Sequence, residues 1–204
     1  MPFVIDTYAL TTLADIKEHL NIPTLTITQD NILIRMINAA SMMIEQFLDR
    51  KVLQRSYTEF YDGRSNDRFL LRQWPAVKPS ELWVDSSSLF TDVLNKKGTN
   101  EYELEGDCGV LLLNGVRFPK GIRNIKVVYL GGFTTVPYII AEACIGTVEF
   151  MYDMKSDRRI GVTSKSKNAE TVTFISDLPP VIKTMLTPFQ RFEFPSSAQG
   201  IQNG

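Results

Sequence analysis

The residues whose type and spacing could do chemistry are five carboxylates placed around turns: Asp62, Asp67, Glu103, Glu105 and Asp107. Two of them held at a fixed separation could act as general acid and base in a hydrolysis. They fall at alternating strand and turn positions, where charged side chains ordinarily stand in water, so a carboxylate-dependent hydrolase is the remote reading. His19 is the sole histidine, so a Ser-His-Asp or Cys-His arrangement would have to use that one residue. Its place near the end of a short helix, ahead of Asn21 and Pro23, suits a partner for the helix C-terminal dipole. Cys108 and Cys144 are the only cysteines, too few for a disulfide framework or a cysteine-rich metal site. Both read as reduced packing residues. The sequence therefore points to no catalytic residue, no metal and no cofactor.

Two other groups of residues could make contacts instead. Residues 153–168 carry Lys155, Arg158, Arg159, Lys165 and Lys167 with Gly161 and four hydroxyl residues, which reads as a long exposed polar loop. It is either a solvated linker or a basic finger facing DNA or a neighbouring subunit. The ends of the chain carry apolar groups without a period of their own: Phe3, Ile5 and Tyr8 in a leading arm, and Phe192 and Phe194 in a trailing one beyond Phe189 and Arg191. Such arms can add to a neighbour by strand addition or by inserting aromatic anchors.

The bulk of the chain bounds what these groups can serve. With 204 residues and 44% hydrophobic content it can bury a sizeable core, as one domain or as a domain with a sub-domain. Twenty-two basic against twenty-three acidic residues leave no overall field that would draw it to nucleic acid or acidic lipid. Its apolar runs are far short of the roughly 20 residues of a membrane span, and no basic-then-apolar leader opens the chain. The expectation is a soluble protein that stays in the cytoplasm where it is made.

The elements that position these residues follow from hydrophobic period. Thr12 and Asp15 form a capping-box pattern before a short helix over residues 12–19. Leu33, Met36, Ile37, Ala40, Met43, Ile44, Phe47 and Leu48 then repeat at three and four, the stripe of a long helix over residues 30–50 with Thr28 or Asp30 as its cap. From Arg55 the period is two. Residues 57–61 and 69–71 read as a hairpin with a long tip, 81–85 as a further strand, and 102–105 with 110–113 as a second hairpin. Residues 125–130 form the last strand, closed by Gly131 and Gly132, and the strands from 57 to 130 are expected to make one small antiparallel sheet with Tyr57, Phe60 and Trp83 in its core. A helix from Val136 or Pro137 buries Ile140, Cys144, Thr147, Val148 and Met151. Asp177 caps a final helix with Val181, Ile182, Met185, Leu186 and Phe189 on its apolar face.

This gives an α+β class: about four helices in a bundle, an inserted antiparallel sheet at 55–133, and extended arms. The parts are N-terminal helices at 10–52, C-terminal helices at 136–192 interrupted by a loop at 153–176, and a flexible tail at 193–204, all within one domain.

The order of elements resembles a known family. It shows in LADIKEHL at 13–20, IEQFLDR at 44–50, the strand and turn at 57–63, residues 71–75, VYLGGF at 128–133, Val136-Pro137 and LTPFQR at 186–191. It resembles the head-tail connector proteins of tailed double-stranded DNA bacteriophages, also called adaptor or head-completion proteins, from about Leu10 to Phe192. The resemblance implies a non-enzymatic virion protein, assembled in the host cytoplasm and located in the neck. It implies a homo-oligomeric ring, usually a dodecamer, beneath the portal protein. Such a ring extends the channel for packaged DNA and offers a docking surface to a stopper or tail-completion protein. By the same resemblance the tail beyond Leu186 is expected to dock on the portal. Another neck or tail protein, a stopper or tail terminator, is the alternative; those read as mainly β, and the long helix counts against it.

Overall fold

The computed structural model describes residues 3–156, 164–167, 170–173 and 177–191. It divides into two compact units, one of residues 1–50 with 138–204 and one of residues 51–137.

The first unit is helical. Helix α1, Leu13–His19, starts with a full capping box: the Thr12 hydroxyl accepts from the Asp15 amide while the Asp15 carboxylate accepts from the Thr12 amide. Helix α2, Asp30–Leu48, buries Leu33, Met36, Ile37, Ala40, Ile44 and Leu48. Neither expected cap is used, because Gln29 occupies the N-cap without a side-chain bond. The connection between α1 and α2 is fastened from below by Lys17. Its ammonium donates to the Thr24 and Thr26 carbonyls at 3.1 and 2.9 Å and meets Asp30 at 2.7 Å, with only 5% of its side chain exposed. Helix α3, Tyr138–Ser156, packs against α1 and α2 and buries Ile140, Ala143, Cys144, Thr147 and Val148. Helix α4, Pro180–Leu186, packs on α3 through Ile182 and Leu186. Asp177 does not cap it. Its carboxylate instead accepts from the Leu178 amide and pairs with Lys183, and Val181, expected on the buried face, is exposed.

The second unit is β, and here the single expected sheet proves to be two. Strands β1 (Arg55–Gly63), β6 (Gly121–Gly131) and β3 (Glu81–Val84) form one antiparallel sheet in the order β1-β6-β3. Strands β2 (Arg68–Leu70), β5 (Val110–Leu113) and β4 (Tyr102–Glu105) form the other, in the order β2-β5-β4. The hairpin of β4 and β5 is therefore as expected, whereas β1 and β2 do not pair at all. Each finds a longer apolar strand, β1 on β6 and β2 on β5. The two sheets share one core of Leu71, Leu82, Tyr102, Leu111, Leu113, Phe118, Ile125, Val127 and Tyr129. Of the three aromatic residues expected in this core, only Tyr57 packs against it. Phe60 lies against Phe90, and Trp83 is flanked by Lys96 and Lys126.

At the end of β6 the backbone requires glycine. Gly132 has φ +108°, and a Cβ there would lie 2.8 Å from the Leu53 backbone. This close approach lets Phe133 and Gln54 exchange backbone bonds with Val52 and Phe133, joining the start of the unit to its end.

Candidate interaction surfaces

The leading arm lies along α2 of its own chain. Asn31, Arg35, Asn38 and Ser41 recur at three and four residues on one face of α2, and each takes hold of the arm. The Phe3 amide donates to Asn31 Oδ1 at 3.2 Å, the Asp6 amide to Asn38 Oδ1 at 3.0 Å and the Leu10 amide to Ser41 Oγ at 3.0 Å. Asn38 Nδ2 returns a bond to the Val4 carbonyl at 3.0 Å, so one side-chain amide serves the arm as a strand edge would. Arg35 stands over the Phe3 ring at 5.1 Å. The arm's backbone is tied to α2 at Phe3, Val4, Asp6 and Leu10 in this way while its apolar side chains stay outside: Phe3, Val4 and Tyr8 are exposed and Ile5 is half-buried.

The other end of the chain reaches the C-terminal end of the same helix. Helix α2 leaves its last carbonyls without intrahelical partners and has no basic residue in its last turn. Gln190 Nε2 donates to the Phe47 carbonyl at 3.1 Å, and the Arg191 amide donates to the Leu48 carbonyl at 3.0 Å. The Arg191 guanidinium, 3.4 Å from Asp49, places a cation where the helix dipole favours one. Phe189 is half-buried. Phe192 and Phe194 lie outside the described residues.

The described parts of the expected basic loop, residues 153–156 and 164–167, are regular structure. Lys155 sits in the last turn of α3, which runs through residues 153–156 of the expected loop. Strand β7, Ser164–Lys167, carries Lys165 and Lys167 and pairs antiparallel with β8, Glu170–Thr173, in the register Lys165↔Val172 and Lys167↔Glu170. Arg158 and Arg159 lie outside the described residues.

The carboxylates weighed for catalysis are either engaged locally or exposed. Asp62 accepts from the Arg123 amide at 2.7 Å, and Asp67 is paired with Arg68 at 3.1 Å, which holds its carboxyl below the usual range. Glu103, Glu105 and Asp107 are exposed. Among the described residues no group of three or more His, Cys, Asp or Glu could hold a metal ion, and no helix is long and apolar enough to cross a membrane. Cys108 is free and exposed rather than packed, whereas Cys144 is free and buried, its Sγ 3.7 Å from Ser41 Oγ. His19 lies in the last turn of α1 as expected and meets Glu149 of α3 at 3.1 Å.

Sequence reasoning missed a polar group inside the β unit. Glu59 is buried and accepts from the Tyr129 hydroxyl at 2.9 Å and from the Tyr61 hydroxyl. Tyr61 and Tyr129 accept in turn from the Arg72 and Gln73 amides. The inward register of Glu59 on β1 was the available signal, since it shares a face with Tyr57 and Tyr61.

The described residues thus form a mixed α+β chain in which residues 3–10 and 190–191 are both tied to α2. The chain is a member of the head completion protein family, whose profile matches residues 9–192. That family is structural and non-enzymatic. No curated protein matches the chain. Among solved structures, the chain is similar to one in the neck of an empty GTA particle computed with C6 symmetry. The two share 15% identity over 90% of each chain, with a TM-score of 0.60. It is similar also to one in the neck of a native GTA particle computed with C12 symmetry, at 15% identity over 95% of each chain and TM-score 0.60. A third is in the virion of a native gene transfer agent, at 14% identity over 95% of each chain and TM-score 0.60.

Proposed function

We propose that the chain forms a homo-oligomeric ring in the neck of a phage-like particle, twelve copies beneath the portal protein. In this reading the ring extends the channel for packaged DNA and presents the surface on which a stopper or tail-completion protein docks. The family match over residues 9–192 carries the proposal. Likeness over nearly the whole length of chains from C6 and C12 necks supports the ring and its number. The leading arm, with Phe3, Ile5 and Tyr8, contacts the portal or the next subunit. The trailing segment of Phe189, Arg191, Phe192 and Phe194 contacts the portal. Exposed apolar groups on an arm whose backbone is tied to α2 support this use, since water is a poor final environment for them. Lys155, Arg158, Arg159, Lys165 and Lys167 meet a neighbouring subunit or the portal in preference to the DNA.

The test is head completion in vitro. DNA-filled heads lacking this protein are mixed with tails, with and without the purified chain, and joined particles are counted. Joining that depends on the chain is the expected result; tails that join equally well without it would refute the proposal.

A further inference from the structure

Unit 51–137 carries a cationic and apolar tip that the proposed function leaves unassigned. From Gly115 to Val127 the chain has Arg117, Lys120, Arg123 and Lys126 and no carboxylate. Arg117, Lys120 and Arg123 are exposed, as is Arg64 in the neighbouring connection from β1 to β2. Arg64, Arg117 and Lys120 have no ion pair among the described residues, while the two exposed carboxylates nearby are engaged, Asp62 by the Arg123 amide and Asp67 by Arg68. Val116 and Ile122, 53% and 81% exposed, stand among these cations.

The tip is built rather than loose. The Ser65 amide donates to the Phe118 carbonyl at 3.0 Å and the Phe118 amide to the Asn66 carbonyl at 2.8 Å, tying the two connections together. Buried Asn124 accepts from the Gly63 amide at 2.7 Å and donates to the Pro119 carbonyl at 2.9 Å. Gly63 has no room for a side chain there, since a Cβ would fall 1.8 Å from the Pro119 oxygen. A surface held so firmly has little ordering entropy left to lose on binding.

The same chain displays a surface of the complementary kind. Within residues 1–50 the exposed charges are Asp6, Asp15, Glu18 and Asp49 against Arg35 alone, because Lys17 and Arg50 are buried. Close in sequence to Asp15 and Glu18, Leu25 and Ile27 in the α1–α2 connection are 93% and 75% exposed. A closed ring needs two different surfaces on each subunit, complementary to one another. DNA could satisfy the cations but offers little to cover Val116 and Ile122, whereas a surface with carboxylates and aliphatic side chains matches both.

We infer that the tip formed by Arg64, Val116, Arg117, Lys120, Ile122 and Arg123 docks on a second copy of this chain, at the acidic and apolar surface of α1 and the α1–α2 connection. This rests on the ring reading and names the contact that closes the ring. The test compares the parent chain with R64E/R117E, which alters two exposed side chains, for ring formation on portal-bearing particles. The variant should melt like the parent yet form rings about tenfold less readily or worse, since like charges would now face α1. Adding E18R should recover part of the loss, and carbodiimide treatment of parent rings should join Lys120 of one copy to Asp15 or Glu18 of another. Normal rings from R64E/R117E, or no such cross-link in parent rings, would overturn the inference and leave the ring reading standing. Rings that form normally but retain less DNA would overturn it in favour of a DNA contact. A parent chain that forms no rings would overturn the ring reading itself.

Discussion

The Tyr129 hydroxyl donates to Glu59 across 2.9 Å in the interior of the β unit, and Tyr61 donates to the same carboxylate oxygen. The bond joins β1 to β6, the central strand of its sheet, while the Tyr61 and Tyr129 oxygens accept from the segment that follows β2. Removing one phenol leaves a buried carboxylate short of a donor and the Gln73 amide without its acceptor. Tyr129→Phe should therefore lower stability by about 1–2 kcal/mol. Chemical denaturation followed by tryptophan fluorescence measures this; an unchanged midpoint would mean that water replaces the phenol.

Burial, chiefly, and the nearby Glu59 push both phenols well above the ordinary tyrosine range. A group whose folded pKa is raised contributes stability that is fully present below its unfolded value, about 10 for tyrosine, and lost as pH rises beyond it. The melting temperature should thus fall above about pH 10, and Tyr129→Phe should flatten that fall. Thermal melts of the two proteins between neutral and strongly alkaline pH test the sign.

Asn38 holds the arm by two bonds, accepting from the Asp6 amide and donating to the Val4 carbonyl. Asn38→Ala removes both from a half-buried position without opening the core. Amides of residues 3–8 should exchange markedly faster, while global stability changes by about 1 kcal/mol or less. Equal acceleration throughout α2 would show that the arm is part of the helix's fold.

The two cysteines should react unequally. Cys108 is exposed, whereas burial pushes the Cys144 thiol up to about 11, with the Ser41 hydroxyl opposing the shift only in part. One thiol per native chain should react with Ellman's reagent at neutral pH, and the second only in denaturant. Ser41 also accepts from the Leu10 amide, so Ser41→Ala loosens the arm's anchor as it strips Cys144 of its partner.

The helices were legible because their signals are local. The stripe from Leu33 to Leu48 and the Thr12–Asp15 box both appear where the sequence places them. Strand partners were less so. Adjacent β1 and β2 read as a hairpin, but pairing is decided by which apolar strand covers which face, and β6 and β5 offered more. The burial of Lys17 was not legible, because its oxygen partners come from the α1–α2 connection and from Asp30 at the start of α2. The arm was legible as an arm, yet its seat on α2 depends on Asn and Ser side chains that look like ordinary solvated positions. The cationic tip escaped notice because its four cations come from two connections and the start of β6, which are far apart in sequence and are brought together by the pairing of β1 with β6 and the bonds of Phe118 and Asn124.

The most direct test of the ring is particle mass. The purified chain is measured by light scattering and negative-stain imaging, alone and after mixing with portal-bearing particles. The account predicts rings, formed in solution or assembled on the portal vertex from monomers. Monomers that ignore portal vertices would contradict it.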